Sequence, residues 1–154
     1  MTLAPIAPAA EPAAPLRPSP VVEEYPYRAE SVDLARQLVR ATLRDWGLDE
    51  LADSAATVSA ELVTNALHTG GLTLMRVSVH QISARVVQVA VRDGSRSLPV
   101  MILAGEADES SRGLPLVHKL TQGRWGVELD PFGKVVYAHL GRTSQVSRPA
   151  LYAS

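Results

Sequence analysis

Glu61, Asn65 and His68 stand four and then three residues apart in the stretch ELVTNALHTG, residues 61–70. In a helix, positions three or four apart are neighbours on one stripe, so a carboxylate, an amide and an imidazole would project from a single face. A carboxylate so placed can serve as a general base. An amide oxygen one turn further on can ligate a hard cation such as Mg²⁺, which keeps several waters and needs few protein ligands. The same pattern also suits the half-exposed edge of an ordinary helix. Asp93, followed by Gly94, is the second candidate. It shares the parity of Val87, Val89 and Val91 and so points toward the layer that packs on the helices, where an unpaired charge is costly. It either accepts a hydrogen bond from an exocyclic amine in a pocket or turns outward to cap the following turn. The third is Gly113 in SSRGLPLV, which opens a short helix whose free amides can receive an anion.

These residues need elements to hold them. Ser31 is expected to cap a helix over 32–46 with Leu34, Leu38 and Trp46 among its apolar positions and Gly47 as its stop. Asp49 is expected to cap a second helix over 49–68, where Leu51, Ala55, Val58, Leu62 and Ala66 repeat at three and four residues and Gly70 ends the run. LTLMRVSVHQI and RVVQVAVRD alternate as strands. Residues 94–112 show no sustained period and read as a long loop. GLPLVHKLTQG reads as a short helix, with Pro115 tolerable in its first turn. RWGVEL and KVVYAHL, joined by DPFG, form a hairpin.

Composition narrows the function classes. A chain of 154 residues with a net charge of −1 fits one globular domain and offers no basic surface for nucleic acid. The absence of cysteine excludes disulfides and thiolate zinc sites, and the four histidines show no ligand spacing. No apolar run of about 18 residues is present, so no membrane span is expected. The first residues lack the basic start and unbroken apolar stretch of a signal peptide, which makes a cytoplasmic location the expectation. Six of the first 20 residues are proline, so residues 1–22 are expected to form a disordered Pro/Ala-rich tail. The ordered domain is then expected over 23–142, with a frayed end over 143–154.

Taken in order, a helical Glu-x-x-x-Asn, a strand ending in Asp-Gly, a long loop, Arg-Gly-Leu opening a helix and a last strand with Gly-Lys form one series. The chain resembles the GHKL ATPase superfamily of gyrase, Hsp90, histidine kinases and MutL. Within it, the chain is most similar to the small anti-sigma-factor serine kinases of high-GC Gram-positive bacteria. ELVTNALHTG matches the N-box of the family and RWGVELDPFGKVVYAHL the tail of the subgroup, and the likeness runs over about residues 25–141. It implies a two-layer α/β sandwich (the Bergerat ATP-binding fold), with a mixed, mostly antiparallel sheet covered on one face by helices.

The resemblance also implies roles. Asn65 would hold Mg²⁺ against the ATP phosphates, Glu61 would be the general base, and Asp93 would bind the adenine amino group. Residues 94–112 would form a lid, with Arg112, Gly113 and Leu114 near the phosphates, while His68, Thr69, Ser95 and Lys134 would line the ATP site. The implied partners are a sigma factor and an anti-sigma antagonist protein, with a homodimer as a further option and neither nucleic acid nor membrane. Residues 1–47 contain no histidine, so a sensor kinase is not expected, and in 154 residues the further domains of gyrase, Hsp90 or MutL are not expected either. The chain departs from the pattern at Ser111, where the family commonly has glycine, and at Val135, where the subgroup usually has threonine. Glu61, Asn65 and Asp93 together favour a kinase. Ser111 and Val135 favour a non-catalytic regulator acting through protein contacts, and a plain scaffold is the third option.

Overall fold

The computed structural model describes residues 16–70, 73–94 and 113–142. Its elements are β1 (Val21–Pro26), α1 (Glu30–Asp45), α2 (Asp49–Thr69), β2 (Leu74–Ser83), β3 (Val86–Asp93), α3 (Gly113–Thr121), β4 (Trp125–Asp130) and β5 (Gly133–Gly141). Residues 1–15, 71–72, 95–112 and 143–154, and with them most of the segment expected to form a lid, lie outside the described residues.

Alternating valines build the sheet. Met75, Val77 and Val79 of β2, Val87, Val89 and Val91 of β3, and Val136, Ala138 and Leu140 of β5 all enter one core with the buried faces of the helices. One face of the sheet is therefore covered by α1, α2 and α3, which makes an α+β fold in two layers. The five strands run in the order β1-β2-β3-β5-β4, and every pairing is antiparallel. A mixed sheet is thus corrected to a wholly antiparallel one among the described residues. The strand that sequence patterning overlooked is β1. Its VVEEYP carries two adjacent acids and lies at the sheet edge, where pairing with β2 stands in for a full apolar stripe.

On the open face, a row of charges crosses the strands. Arg76 and Arg92 sit directly opposite one another, and like charges so placed repel. Glu24 pairs with Arg76 and Asp130 with Arg92, so an acid flanks each arginine on its outer side and the repulsion is offset.

The helix starts differ from expectation. Ser31 lies inside the first turn of α1, and its hydroxyl donates to the Pro26 carbonyl at 2.7 Å rather than capping the helix. Asp49 likewise falls inside α2, after an N-cap at Leu48 that makes no side-chain bond. Both stops hold: Gly47 and Gly70 take φ of +74° and +83°, a left-handed region that glycine enters without a Cβ clash.

α2 is the central helix. Ala52, Ala55, Ala56, Ala60 and Ala66 are buried, and their small side chains let α2 lie close beside α1, the sheet and α3. Polar residues occur along its whole length, and those of its C-terminal half are Glu61, Thr64, Asn65, His68 and Thr69.

Candidate functional site

The last two turns of α2, the end of β3 and the start of β5 meet at one end of the sheet. Asp93 and Lys134 are direct cross-strand partners on the helix-facing side. The Lys134 ammonium donates to both Asp93 oxygens, at 3.1 and 2.9 Å, and to Thr69 Oγ1 at 3.1 Å. Both side chains are almost wholly buried, at 0% exposure for Lys134 and 1% for Asp93. Thr69 in turn donates to the backbone carbonyls of Asn65 and Ala66. A chain of hydrogen bonds therefore runs from α2 to Asp93. Burying two charges is expensive, and the bidentate pairing with a third partner on the ammonium is what offsets it.

Glycine makes the pairing possible. At Gly133, φ is +152°, and a Cβ there would lie 2.1 Å from the Asp93 carbonyl oxygen. β5 can begin against the end of β3 only because this position has no side chain. Gly133→Ala is expected to destabilise the fold by roughly 2 kcal/mol or more, through strain and forced separation of the strands. The midpoint of urea unfolding checks this, and an unchanged midpoint would show that the strands part without cost.

On α2, Glu61 and Asn65 are each half-buried. Burial raises the Glu61 carboxyl above its ordinary range, with the Arg36 guanidinium pulling in the opposite direction. The Asn65 amide oxygen is buried and has no hydrogen-bond partner. Such atoms are rare in folded proteins and commonly mark a position that a ligand, water or ion completes.

The other expected residues separate. His68 is exposed, and Leu114 packs into the hydrophobic core at 4% exposure. Leu114 thus anchors α3, and only its backbone is left to face a ligand. Gly113 begins α3 as expected, while Ser95 and Arg112 lie outside the described residues. Lys134, expected as an ATP ligand, is instead turned inward onto Asp93. Val135 lies opposite Arg92 and Glu128, on the open face of the sheet. A threonine there would place its hydroxyl on the far side from Asp93, so Val135 takes nothing from this cluster.

Tyr27 is a contributor that sequence reasoning missed. Its hydroxyl accepts the Gly94 amide at 3.2 Å and ties the β1–α1 connection to the residue after Asp93. No local signal marks it, because the contact spans 67 positions. A cleft of about 290 Å³ that includes Asp93 and Gly94 opens beside Arg76, Arg92 and Phe132 on the open face, away from Glu61 and Asn65.

Among the described residues no group of three or more His, Cys, Asp or Glu could hold a metal ion. A Mg²⁺ bound mainly by phosphates and water does not need one, and the unpartnered Asn65 oxygen fits the single protein ligand such an ion requires. No helix among the described residues is long and apolar enough to cross a membrane. Compared with known protein families and with curated proteins, the chain matches no family model and no curated protein.

Proposed function

We propose that this chain binds MgATP at the C-terminal half of α2 and is a serine/threonine protein kinase of the anti-sigma-factor type. In that role it would phosphorylate an anti-sigma antagonist and sequester a sigma factor in the cytoplasm. The observation that carries the reading is the buried Asn65 oxygen without a partner, one helical turn from a carboxyl whose affinity for protons is raised. An acceptor left unmade costs about 1–3 kcal/mol, and a fold keeps such a cost most readily where a ligand removes it.

Each residue then has a task. Asn65 would hold Mg²⁺, which supplies charge neutralisation for the phosphoryl oxygens. Glu61 takes the proton of the incoming seryl hydroxyl as its oxygen attacks the γ-phosphorus and ADP leaves. Asp93 would accept from the adenine amino group, a carboxylate offering about four acceptor positions in all. Lys134 and Thr69 hold that carboxylate in place. Arg112 and the amides at Gly113 and Leu114 would face the phosphates.

One observation favours a second reading. Both Asp93 oxygens are already bonded to Lys134, which weakens their appeal to a purine. A regulator that binds nucleotide poorly and works through protein contacts would tolerate that pairing.

Calorimetric titration of MgATP separates the readings. The kinase reading expects saturable, magnesium-dependent binding that Asn65→Ala loses, followed by transfer of labelled phosphate to a serine of the antagonist. Binding without transfer would leave the regulator, and no binding at all would overturn the nucleotide site. Asn65→Leu supplies a readout independent of activity. Replacing the orphaned oxygen by an apolar group on a side chain of the same branching is expected to raise the stability of the ligand-free protein by about 1 kcal/mol. Loss of stability instead would mean that the amide is held by partners of its own.

A further inference from the structure

At the end of the sheet remote from Asp93, a cleft of about 450 Å³ opens between the start of α2, the β2–β3 turn, the α3–β4 connection and the end of β5. Its volume is that of a small-molecule site. Arg85, Arg124 and Arg142 line it together with Ser54, Gln122 and a single carboxylate, Glu50. Three guanidiniums against one carboxylate leave a local excess of +2 in a chain whose net charge is −1.

Arg36, Arg40, Arg76 and Arg92 each pair with a carboxylate, whereas the ion pairs among the described residues involve neither the three cleft arginines nor Arg17, Arg28 and Arg44; what sets the cleft apart is that three such guanidiniums line one cavity. Arg124 is half-buried and held in place: its Nε donates to the Thr121 carbonyl at 3.0 Å and its Nη2 to the Gly141 carbonyl at 2.9 Å. A guanidinium has five N–H donors, so three remain for something else. Burial also lowers the Arg124 pKa, as expected of a cation without a counter-charge.

The other two arginines are brought together by close backbone contact. Val86 pairs with Gly141, where φ is +125° and a Cβ would lie 1.9 Å from the Arg85 carbonyl oxygen. Arg85 and Arg142 are thereby set on adjoining strand ends, beside the fixed fork of Arg124. Planar guanidinium forks match the geometry of phosphate oxygens. An excess of two positive charges matches a phosphate monoester, which carries about −1.5 to −2 at pH 7.

We infer that the Arg85–Arg124–Arg142 cleft is a second binding site, separate from the nucleotide pocket, for a phosphate monoester. The ester is either a free small metabolite or a phosphorylated side chain of a partner. The inference does not depend on the kinase reading, because the cleft and the Asn65–Asp93 cluster lie at opposite ends of β3 and of α2, on the order of 25 Å apart.

The test uses the full chain and calorimetric titration with O-phosphoserine, with inorganic sulfate as the control anion. Arg85→Gln combined with Arg142→Gln removes two exposed charges and leaves the structural bonds of Arg124 in place. Saturable binding of O-phosphoserine, weakened about tenfold to a hundredfold in the double variant and unchanged in Asn65→Ala, is the expected result. Equal binding by the double variant, no saturation, or loss in Asn65→Ala rather than in the arginine variant would each overturn the site. A short phosphoserine peptide distinguishes the sources: tighter binding than the free amino acid assigns the cleft to a phosphorylated partner, and equal binding to a small metabolite.

Discussion

Glu61→Gln is expected to lower phosphotransfer by roughly 10²–10⁴-fold while MgATP affinity stays within a few-fold. A general base acts on the chemical step, and the neutral amide of similar shape leaves the surrounding packing intact. The pH profile adds a second signature. Burial raises the Glu61 carboxyl above its usual 4.5, and the reaction needs it ionised. The wild-type rate should therefore fall as pH drops through a value above 4.5, and this acid limb should vanish in the variant. Stability carries the opposite sign. A carboxyl whose folded pKa is raised favours the fold when protonated, so its contribution is lost as pH rises from the unfolded value through the folded one. At neutral pH the glutamine variant should then be at least as stable as wild type. A large loss of nucleotide affinity in Glu61→Gln would show that the residue is structural and that the base lies elsewhere.

Lys134→Met is expected to destabilise the protein by about 3–5 kcal/mol, because it leaves the Asp93 carboxylate buried without its counter-charge. For a domain of this size that is a fall in Tm on the order of 10–20 °C. The pair itself is a different matter from its breakage. Replacing both partners, with Asp93→Asn added to Lys134→Met, should recover a substantial part of the loss, since no unpaired charge then remains. The thermal melts of the two single variants and the double variant measure the coupling directly. If the double variant is as unstable as the sum of the singles, the two residues act independently and the short contacts carry little energy. MgATP titration of whichever variants fold then shows whether nucleotide recognition at Asp93 depends on the ammonium holding it.

Local chemistry accounts for much of the architecture. Period-two valines in LMRVSVHQIS and VVQVAVRD dictate which face of β2 and β3 is buried, and that parity alone turns Asp93 inward. Three- and four-residue apolar spacing defines α2, and the left-handed glycines at 47 and 70 end the helices where the chain says they should. Helix starts were less legible. Ser31 has the side chain of a cap, but the edge strand before it presents the Pro26 carbonyl, and a hydroxyl bonds whichever group tertiary packing brings within reach.

The pairings that define both sites were beyond sequence reasoning for one physical cause. Asp93 and Lys134 are 41 positions apart, and they meet only because β5 inserts beside β3 and leaves β4 at the edge, an order that side-chain periodicity does not encode. By itself the sequence determined that a carboxylate would face the helix layer and would need a partner. The partner was decided by strand order and by a glycine at 133 that lets two backbones approach. The same holds for Arg85, Arg124 and Arg142, which are scattered along the chain and converge only at the end of the folded sheet. Burial and contact over long sequence separations are properties of the packed molecule, and local patterns specify only the faces that will be packed.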